Sequence, residues 1–552
     1  MADVKLPQWI ISVREICSTS LKGCLSVSKS LSLAKVSAIG GFNLLWGLVI
    51  SSVISAIGMI LVAGILSEAE FGVVSIALIG PNIITYIRDL GIDQATIKYS
   101  TQYRVDGETR KLKNVILTST LFEVILGAAF TIFSIVMSGV MATLLERPTI
   151  VPLIQIASFT ILAGALLKAA QSVFLGYDKI ELYSITLIVQ SIFKTALMVV
   201  LVYLQYGEYG ATIGNAVSFI GAGLVGLAFL YFAVIKGLRK DETGKLEIVS
   251  TVKMLLKFGV PLSIAAMLVG VLSEYYRFLV AIYTPDTLMG NYQVALNFAL
   301  LVSIFATSIA TILFPTFSKV KGHEDQKTMS SMFQYSVKYT SLLIVPVTVA
   351  IMALSQPGVQ TLFQNKYEYT PLYLSLYAST FLYSAIGNLS AGALINSQGQ
   401  TQFNLKITVL TVVLGIIMSL ILIPAFGVIG LLAVHISVGM PGILISLWWI
   451  NKHYHATIDW KSSTKILASS AMSGILTYYI TSQLHFASWI TLIIGLAIFL
   501  ASYIVFAPLT GAITYTDIKN LKEVITSLGP LATLIRPLLR VLEKFTRKPQ
   551  QS

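Results

Sequence analysis

Long apolar runs separated by short polar loops fill the chain from about residue 39 to residue 508. A bilayer's hydrocarbon is crossed by about 20 apolar residues in helical form. On that measure about fourteen runs qualify: 39–63, 72–90, 112–138, 149–172, 183–204, 210–235, 255–282, 290–315, 334–354, 371–395, 404–424, 428–450, 463–481 and 487–508. Each should be a helix, because an unpaired backbone amide in hydrocarbon costs several kcal/mol. The runs are too long and too uniformly apolar for the alternating strands of about ten residues that a barrel needs. The pattern predicts an all-α polytopic membrane protein.

Composition supports this. Of 552 residues, 55% are hydrophobic and 11% charged, against about a quarter charged in soluble proteins. A water-soluble core could not bury that much apolar surface. Charge then gives direction. Lys and Arg crowd the first segment, every second loop and the C-terminal tail. Of the 38, only Arg147 and Lys366 fall in loops of the opposite side, and Lys194 and Arg277 lie inside runs, beyond their basic ends. Lys/Arg excess marks the cytoplasmic side, so the expectation is a multi-pass plasma-membrane protein with both termini cytoplasmic. The net charge of +13 follows from that bias. No basic face with interleaved aromatics suggests a nucleic-acid partner. Cys17 and Cys24 precede the first run and should stay reduced. Residues 9–25 gather Ile10, Val13, Cys17, Leu21 and Cys24 on one helical face, which predicts an amphipathic helix at the membrane surface. The tail from Asp517 to Lys548 looks similar, and no signal-peptide pattern is present.

The first half echoes in the second. Gly72-Val-Val-Ser-Ile-Ala-Leu78 reappears as Gly290-Asn-Tyr-Gln-Val-Ala-Leu296, an offset of 218 residues. Tyr206-Gly207-Glu-Tyr-Gly210 reappears as Phe426-Gly427-Val-Ile-Gly430, an offset of 220. Six runs separate the copies, so they share one orientation, as parallel repeats do, and a substrate path should run between them. The expected organisation is an N-terminal segment (1–38), a six-helix lobe (39–236), a cytoplasmic linker (237–254), a second six-helix lobe (255–450), two further helices (451–510) and a basic tail (511–552).

Several of these segments also resemble a known family. Ala63-Gly-Ile-Leu-Ser-Glu-Ala-Glu-Phe-Gly72, then Asp89-Leu-Gly-Ile92 and Ala95, resemble the first-loop and second-span signature of prokaryotic oligosaccharide flippases of polysaccharide biosynthesis. Phe258-Gly-Val-Pro261 resembles the opening of their seventh span, Phe314-Pro315 the end of their eighth, and Ile423-Pro-Ala-Phe-Gly-Val-Ile-Gly430 the exit of their eleventh. The wider superfamily includes multidrug and toxic-compound extrusion (MATE) exporters and lipid II flippases. The resemblance implies two lobes in a V, alternating access and a lipid-linked sugar substrate. It departs at Ile65: many relatives have a basic residue near that point, and this chain has none.

A charge at mid-bilayer costs about 2.5–3.5 kcal/mol and needs a partner or a wet cavity. Glu123 and Lys194 each lie about eleven residues from the start of their runs, near mid-membrane. They are read as a structural pair or as cavity groups. Glu274 and Arg277 share a helix face, either as a local ion pair or with Arg277 lining the cavity, where its planar fork suits a phosphate. Glu123 and Glu274 are the candidate coupling carboxylates, with Na+ or H+ as the ion if one is coupled. Arg88 is read as a headgroup anchor in preference to a pyrophosphate receiver. Asn43 lines the cavity or bonds a neighbouring helix. Tyr369, Tyr373 and Tyr377 form a stripe read chiefly as an interfacial belt.

Other matches carry no chemistry. Gly221-Ala-Gly-Leu-Val-Gly226 fits GxGxxG but sits mid-run without a preceding strand. Asn388-Leu-Ser390 is a sequon inside a run, no metal-ligand spacing occurs, and no phosphate-binding loop for a nucleotide is present. No cofactor is expected, and no enzymatic activity. The leading expectation is a flippase for a polyprenyl-(pyro)phosphate-linked oligosaccharide, with membrane lipids and glycan-assembly proteins as partners. The alternatives are an ion-coupled MATE-like exporter of small amphipathic molecules and a membrane-embedded glycosyltransferase or polymerase. The short loops disfavour the last.

Overall fold

The computed structural model describes residues 46–238, 247–320 and 325–519, and every regular element in it is helical. The first half contains α1 Trp46–Ile65, α2 Glu68–Ala77, α3 Ile79–Arg88, α4 Ile92–Val105, α5 Thr109–Leu144, α6 Val151–Gly176, α7 Ile180–Leu201, α8 Gly207–Leu230 and the single turn α9 Lys236–Leu238. The second contains α10 Ile248–Tyr283, α11 Asp286–Ser318, α12 Gln326–Ala353, α13 Ser355–Phe363, α14 Thr370–Ala378, α15 Asn388–Ser397 and α16 Thr401–Tyr454, followed by α17 Trp460–Ser482 and α18 Ser488–Thr510. The predicted surface helix over 9–25, Asn43, linker residues 239–246 and the tail from residue 520 lie outside the described residues.

Among the described residues, ten helices are long and apolar enough to cross a membrane, or eleven with the pair around Gly387, bent by 56°, counted as one. About fourteen runs were expected. Part of the difference is that two long helical runs double back. In the run 180–238, Gly221 meets Phe193 and Gly214 meets Met198, so α7 and α8 are antiparallel. In α16, Gly430 meets Leu422 and Gly442 meets Ile407, a second hairpin. In addition, α17 is not among the ten; it carries Ser462, Ser463, Ser469, Ser470 and Ser473, the last three fully buried.

The reversals show the repeat in the backbone itself. Gly207 has φ 53° and ψ −137°, and Gly427 has φ 56° and ψ −129°. A side chain at that geometry is strained, which is why glycine stands at both turns. Glu146 and Gln364, 218 residues apart, also share a positive φ, 57° and 55°.

The halves meet where the repeat's first anchor lies. Ser67 caps α2, accepting from the Glu70 amide at 3.2 Å, while Glu70 Oε2 accepts from the Ser67 amide at 2.7 Å, a reciprocal cap that fixes the helix start. One turn on, α2 crosses α11. A Cβ on Gly72 would overlap the Asp286 carbonyl oxygen, and one on Gly290 would overlap that of Glu68. At the other end of the junction Gly91, at φ 71°, and Gly259 make a second reciprocal backbone contact. Between these crossings α10 lies along α3, α4 and α5 of the first half and α16 of the second. A buried apolar cluster joins Ile76, Ala77, Ile79 and Leu145 to Leu279, Val280, Ala295 and Leu431. Beyond α18, Asp517 bonds Lys338 of α12 at 2.6 Å. Burial pushes its carboxyl up, but the bonds from Lys338 and Thr514 hold it below its ordinary value.

Gly72→Ala and Gly290→Ala should each destabilise the protein by about 1–3 kcal/mol, because the two helices must separate to admit the methyl. Thermal unfolding of the solubilised protein measures this. An unchanged melting temperature in both would remove the crossing as a close contact.

Candidate functional site

The junction carries a polar group in the last third of α10. Arg277 Nη1 stands 3.4 Å from Glu274 Oε1 one turn earlier. The same oxygen accepts from Asn82 Nδ2 of α3 at 3.3 Å, so the carboxylate links the halves. Glu274 is 3% exposed, and its second oxygen has no hydrogen-bond partner among the described residues. The Arg277 side chain is 23% exposed. A guanidinium has several N–H donors, and no other described group accepts from this one. Tyr276, Tyr292 and Tyr373 are buried in the same cluster. Tyr276 and Tyr377 stand edge-on to His435, with centroids 5.4 and 5.6 Å away. A guanidinium with free donors among hydroxyl-bearing rings can hold an anion by paired hydrogen bonds. Among the described residues no group of three or more His, Cys, Asp or Glu is placed to hold a metal.

One end of the junction is closed by two loop cations. Arg147, between α5 and α6, reaches the second half: Nε donates to Asp286 Oδ1 at 2.6 Å, Nη1 to the Ala281 carbonyl at 2.5 Å and Nη2 to the Thr284 carbonyl at 3.0 Å. Lys366, between α13 and α14, does the converse. Its Nζ donates to the carbonyls of Ala63 at 2.9 Å, Gly64 at 3.1 Å and Leu66. Arg147 and Lys366 are 219 residues apart. Ala63 and Ala281, Leu66 and Thr284, and Glu68 and Asp286 are each 218 apart. Each half therefore gives a cation to the open C-terminal end of the other half's first long helix, where unpaired carbonyls gather partial negative charge.

Glu68 completes the closure. It accepts from the Tyr367 amide at 3.0 Å and from Asn291 Nδ2 at 2.6 Å, while Tyr367 Oη donates to the Ala63 carbonyl at 2.9 Å. Asn291 Oδ1 accepts from the amides of Tyr369 and Thr370 at 3.0 and 3.1 Å. Glu68, Asn291 and Tyr367 were not singled out in the sequence, and Arg147 and Lys366 were noted only for their side of the membrane. Applying the repeat offset to the two isolated loop cations is the signal that would have found them.

The other candidates are placed differently from expectation. Glu123 does not meet Lys194; it pairs with Arg88, and both are buried. Arg88 is thus no headgroup anchor. The helix ends at Asp89 and turns through left-handed Gly91, while Arg88 is held inside against α5. Asp89 bonds Lys168 at 2.6 Å, with Asp93 3.7 Å from the same amine, so the network belongs to the first half alone. Lys194 on α7 has no hydrogen-bond or ion-pair partner among the described residues. Its neighbour Thr195 donates to the Ile54 carbonyl of α1 at 3.0 Å, and α7 packs on α6 and α8, so its surroundings lie in its own half. Of the tyrosine stripe, Tyr369 is half exposed, Tyr373 is buried and Tyr377 faces His435. The stripe enters the second half instead of girdling it.

Solved structures share this fold. The lipid II flippase MurJ in its inward closed conformation superposes with a TM-score of 0.68, at 18% identity, over 84% of this chain and 98% of that one. An inward-facing multidrug resistance MATE family transporter of the MOP superfamily gives 0.62, at 16% identity, over 73% and 94%. The chain belongs to the family described as polysaccharide biosynthesis protein, whose pattern matches residues 61–372, more than half of its length. A relative from Haloferax volcanii, described as "Probable low-salt glycan biosynthesis flippase Agl15", is 22% identical over 44% of this chain. The match spans about half of that relative, 51% of its length.

Arg147→Ala and Lys366→Ala should each shift the closed end towards open. Spin labels at Thr149 and Thr287 should report longer distances in both variants, and distances like the parent's would remove the latch. Arg88→Ala should instead unfold the protein more readily, by about 3–5 kcal/mol, because it strands a buried carboxylate. Equilibrium unfolding in denaturant measures that loss.

Proposed function

We propose that the protein is a flippase. It carries a polyprenyl-(pyro)phosphate-linked oligosaccharide across the plasma membrane by alternating access, for surface polysaccharide or glycoprotein assembly. The basic end of the bundle faces the cytoplasm, with both termini there, and the end latched by Arg147 and Lys366 faces outward. The observation that carries the reading is Arg277, a guanidinium with unspent donors at the junction of the two halves. A sugar–pyrophosphate headgroup cannot enter hydrocarbon without its hydration, at a cost of many kcal/mol. Arg277 and the tyrosine hydroxyls near it replace part of that hydration, while the polyprenyl tail stays in lipid. No covalent bond is made or broken, so the protein is not an enzyme. An inside-negative potential favours outward passage of the anion by about 2.3 kcal/mol per charge for each 100 mV.

In this reading residues 39–236 and 255–450 are the two moving lobes, joined by 237–254, and the helices of 451–510 stand beside them. Lys194 serves as a second cation that meets the anion once the halves move. Arg88 and Glu123 hold the first lobe together, and Glu274 is the carboxylate positioned to couple a Na+ or H+ ion. Glycan-assembly proteins receive the product. A multidrug resistance MATE family transporter shares the fold, but a guanidinium with unspent donors at the junction suits an anion better than a cationic cargo.

Arg277→Ala should slow flipping of a lipid-linked oligosaccharide in vesicles by about tenfold or more, the worth of a charged hydrogen bond. Arg277→Lys should restore part of it, since the charge returns without the fork. Parental rates in both Arg277→Ala and Lys194→Ala would remove the anion-holding mechanism.

A further inference from the structure

A cavity of about 830 Å3 lies beside the latch and away from Arg277, between α13, the loop 364–368, and the facing ends of α17 and α18. That volume is within the range of about 300–1,000 Å3 typical of small-molecule sites. Gln356, Gln360, Gln364 and Asn365 line it from the second half, and Tyr478 and Phe486 from the α17–α18 hairpin. No described group accepts from or donates to these four amide side chains, and each is both donor and acceptor. Tyr478 and Phe486 are 58% and 59% exposed, so their ring faces are open to a ligand.

Charge narrows the ligand class. The one amine at the cavity, that of Lys366, is committed to the carbonyls ending α1. Glu368, on the rim, is exposed and repels anions. A phosphate finds no free cation here. A sugar does find complements: its hydroxyls donate and accept as amides do, and the C–H face of a pyranose stacks on an aromatic ring.

We infer that this cavity binds neutral oligosaccharide, the sugar portion of the glycan at the end where it is delivered; this rests on the flippase reading. The whole loop 364–368 lines the cavity: Lys366 and Tyr367 also hold the latch, and Gln364 and Asn365 meet the sugar. Bound sugar therefore touches the segment that closes the junction.

Saturation-transfer NMR on the full-length protein in nanodiscs, with maltotriose and chitotriose as probes, tests this. Transfer to the ring protons of at least one probe is expected. Affinity should fall about tenfold in Gln360→Ala and in Tyr478→Ala, stay unchanged in Arg277→Ala, and resist competition by inorganic phosphate. Both variants should keep the parental melting temperature, and Phe486→Ala replaces either one that does not. Absence of transfer, equal binding in the variants, or displacement by phosphate overturns the site. The two readings fail separately. Sugar binding by a protein that flips nothing sinks the transport reading alone, whereas Arg277-dependent flipping without sugar binding sinks the cavity alone.

Discussion

The structure depends on a reciprocal capping of helix ends across the junction of its halves. The last carbonyls of a helix have no partner within it. At the low-dielectric end of a membrane bundle they are costly to leave unpaired. Arg147 satisfies those of α10 and Lys366 those of α1. Because each cation belongs to the opposite half, the helix ends are complete only while the halves are together. Closure is thus a set of hydrogen bonds that can be exchanged for water. The glycine crossing beneath it sets how near the halves can come.

That geometry gives physical content to the short segments by which the chain resembles its family. Glu70 closes the cap on Ser67, Phe71 is buried, and Gly72 admits α11. Gly91 turns left-handed and meets Gly259 of the Phe258-Gly-Val-Pro261 segment. The motif glycines mark where the two halves touch, so their spacing reflects tertiary contact. The departure near Ile65 is also resolved in space. No cation stands there in sequence, yet the Lys366 amine lies on the carbonyls of Gly64 and Leu66, about 300 residues away along the chain.

Buried charge divides into two uses. Arg88, Glu123, Asp89, Lys168 and Asp93, three carboxylates and two cations, pair inside the first half, with Arg88 Nε and Asp93 Oδ1 left without a hydrogen-bond partner among the described residues. Glu274 and Arg277 stand instead at the junction of the halves, where one oxygen is unpartnered and the guanidinium keeps donors in reserve. A network inside one half positions that half's helices, whereas one at the junction bears on how the halves meet.

The sequence alone determined the all-helical membrane class, because apolar length and backbone hydrogen bonding leave one solution in hydrocarbon. It also determined the duplication, whose anchors reappear as matching φ and ψ at Gly207 and Gly427. Only the tertiary structure decided which charges meet. Depth along a helix suggested Glu123 with Lys194, but pairing depends on rotation about the helix axis and on where a neighbouring helix breaks. The break at Asp89 and Gly91 brought Arg88 to Glu123 instead. The latch was hidden because, apart from Asp286, the acceptors of its two cations are backbone carbonyls, which every residue carries and no side-chain pattern reveals.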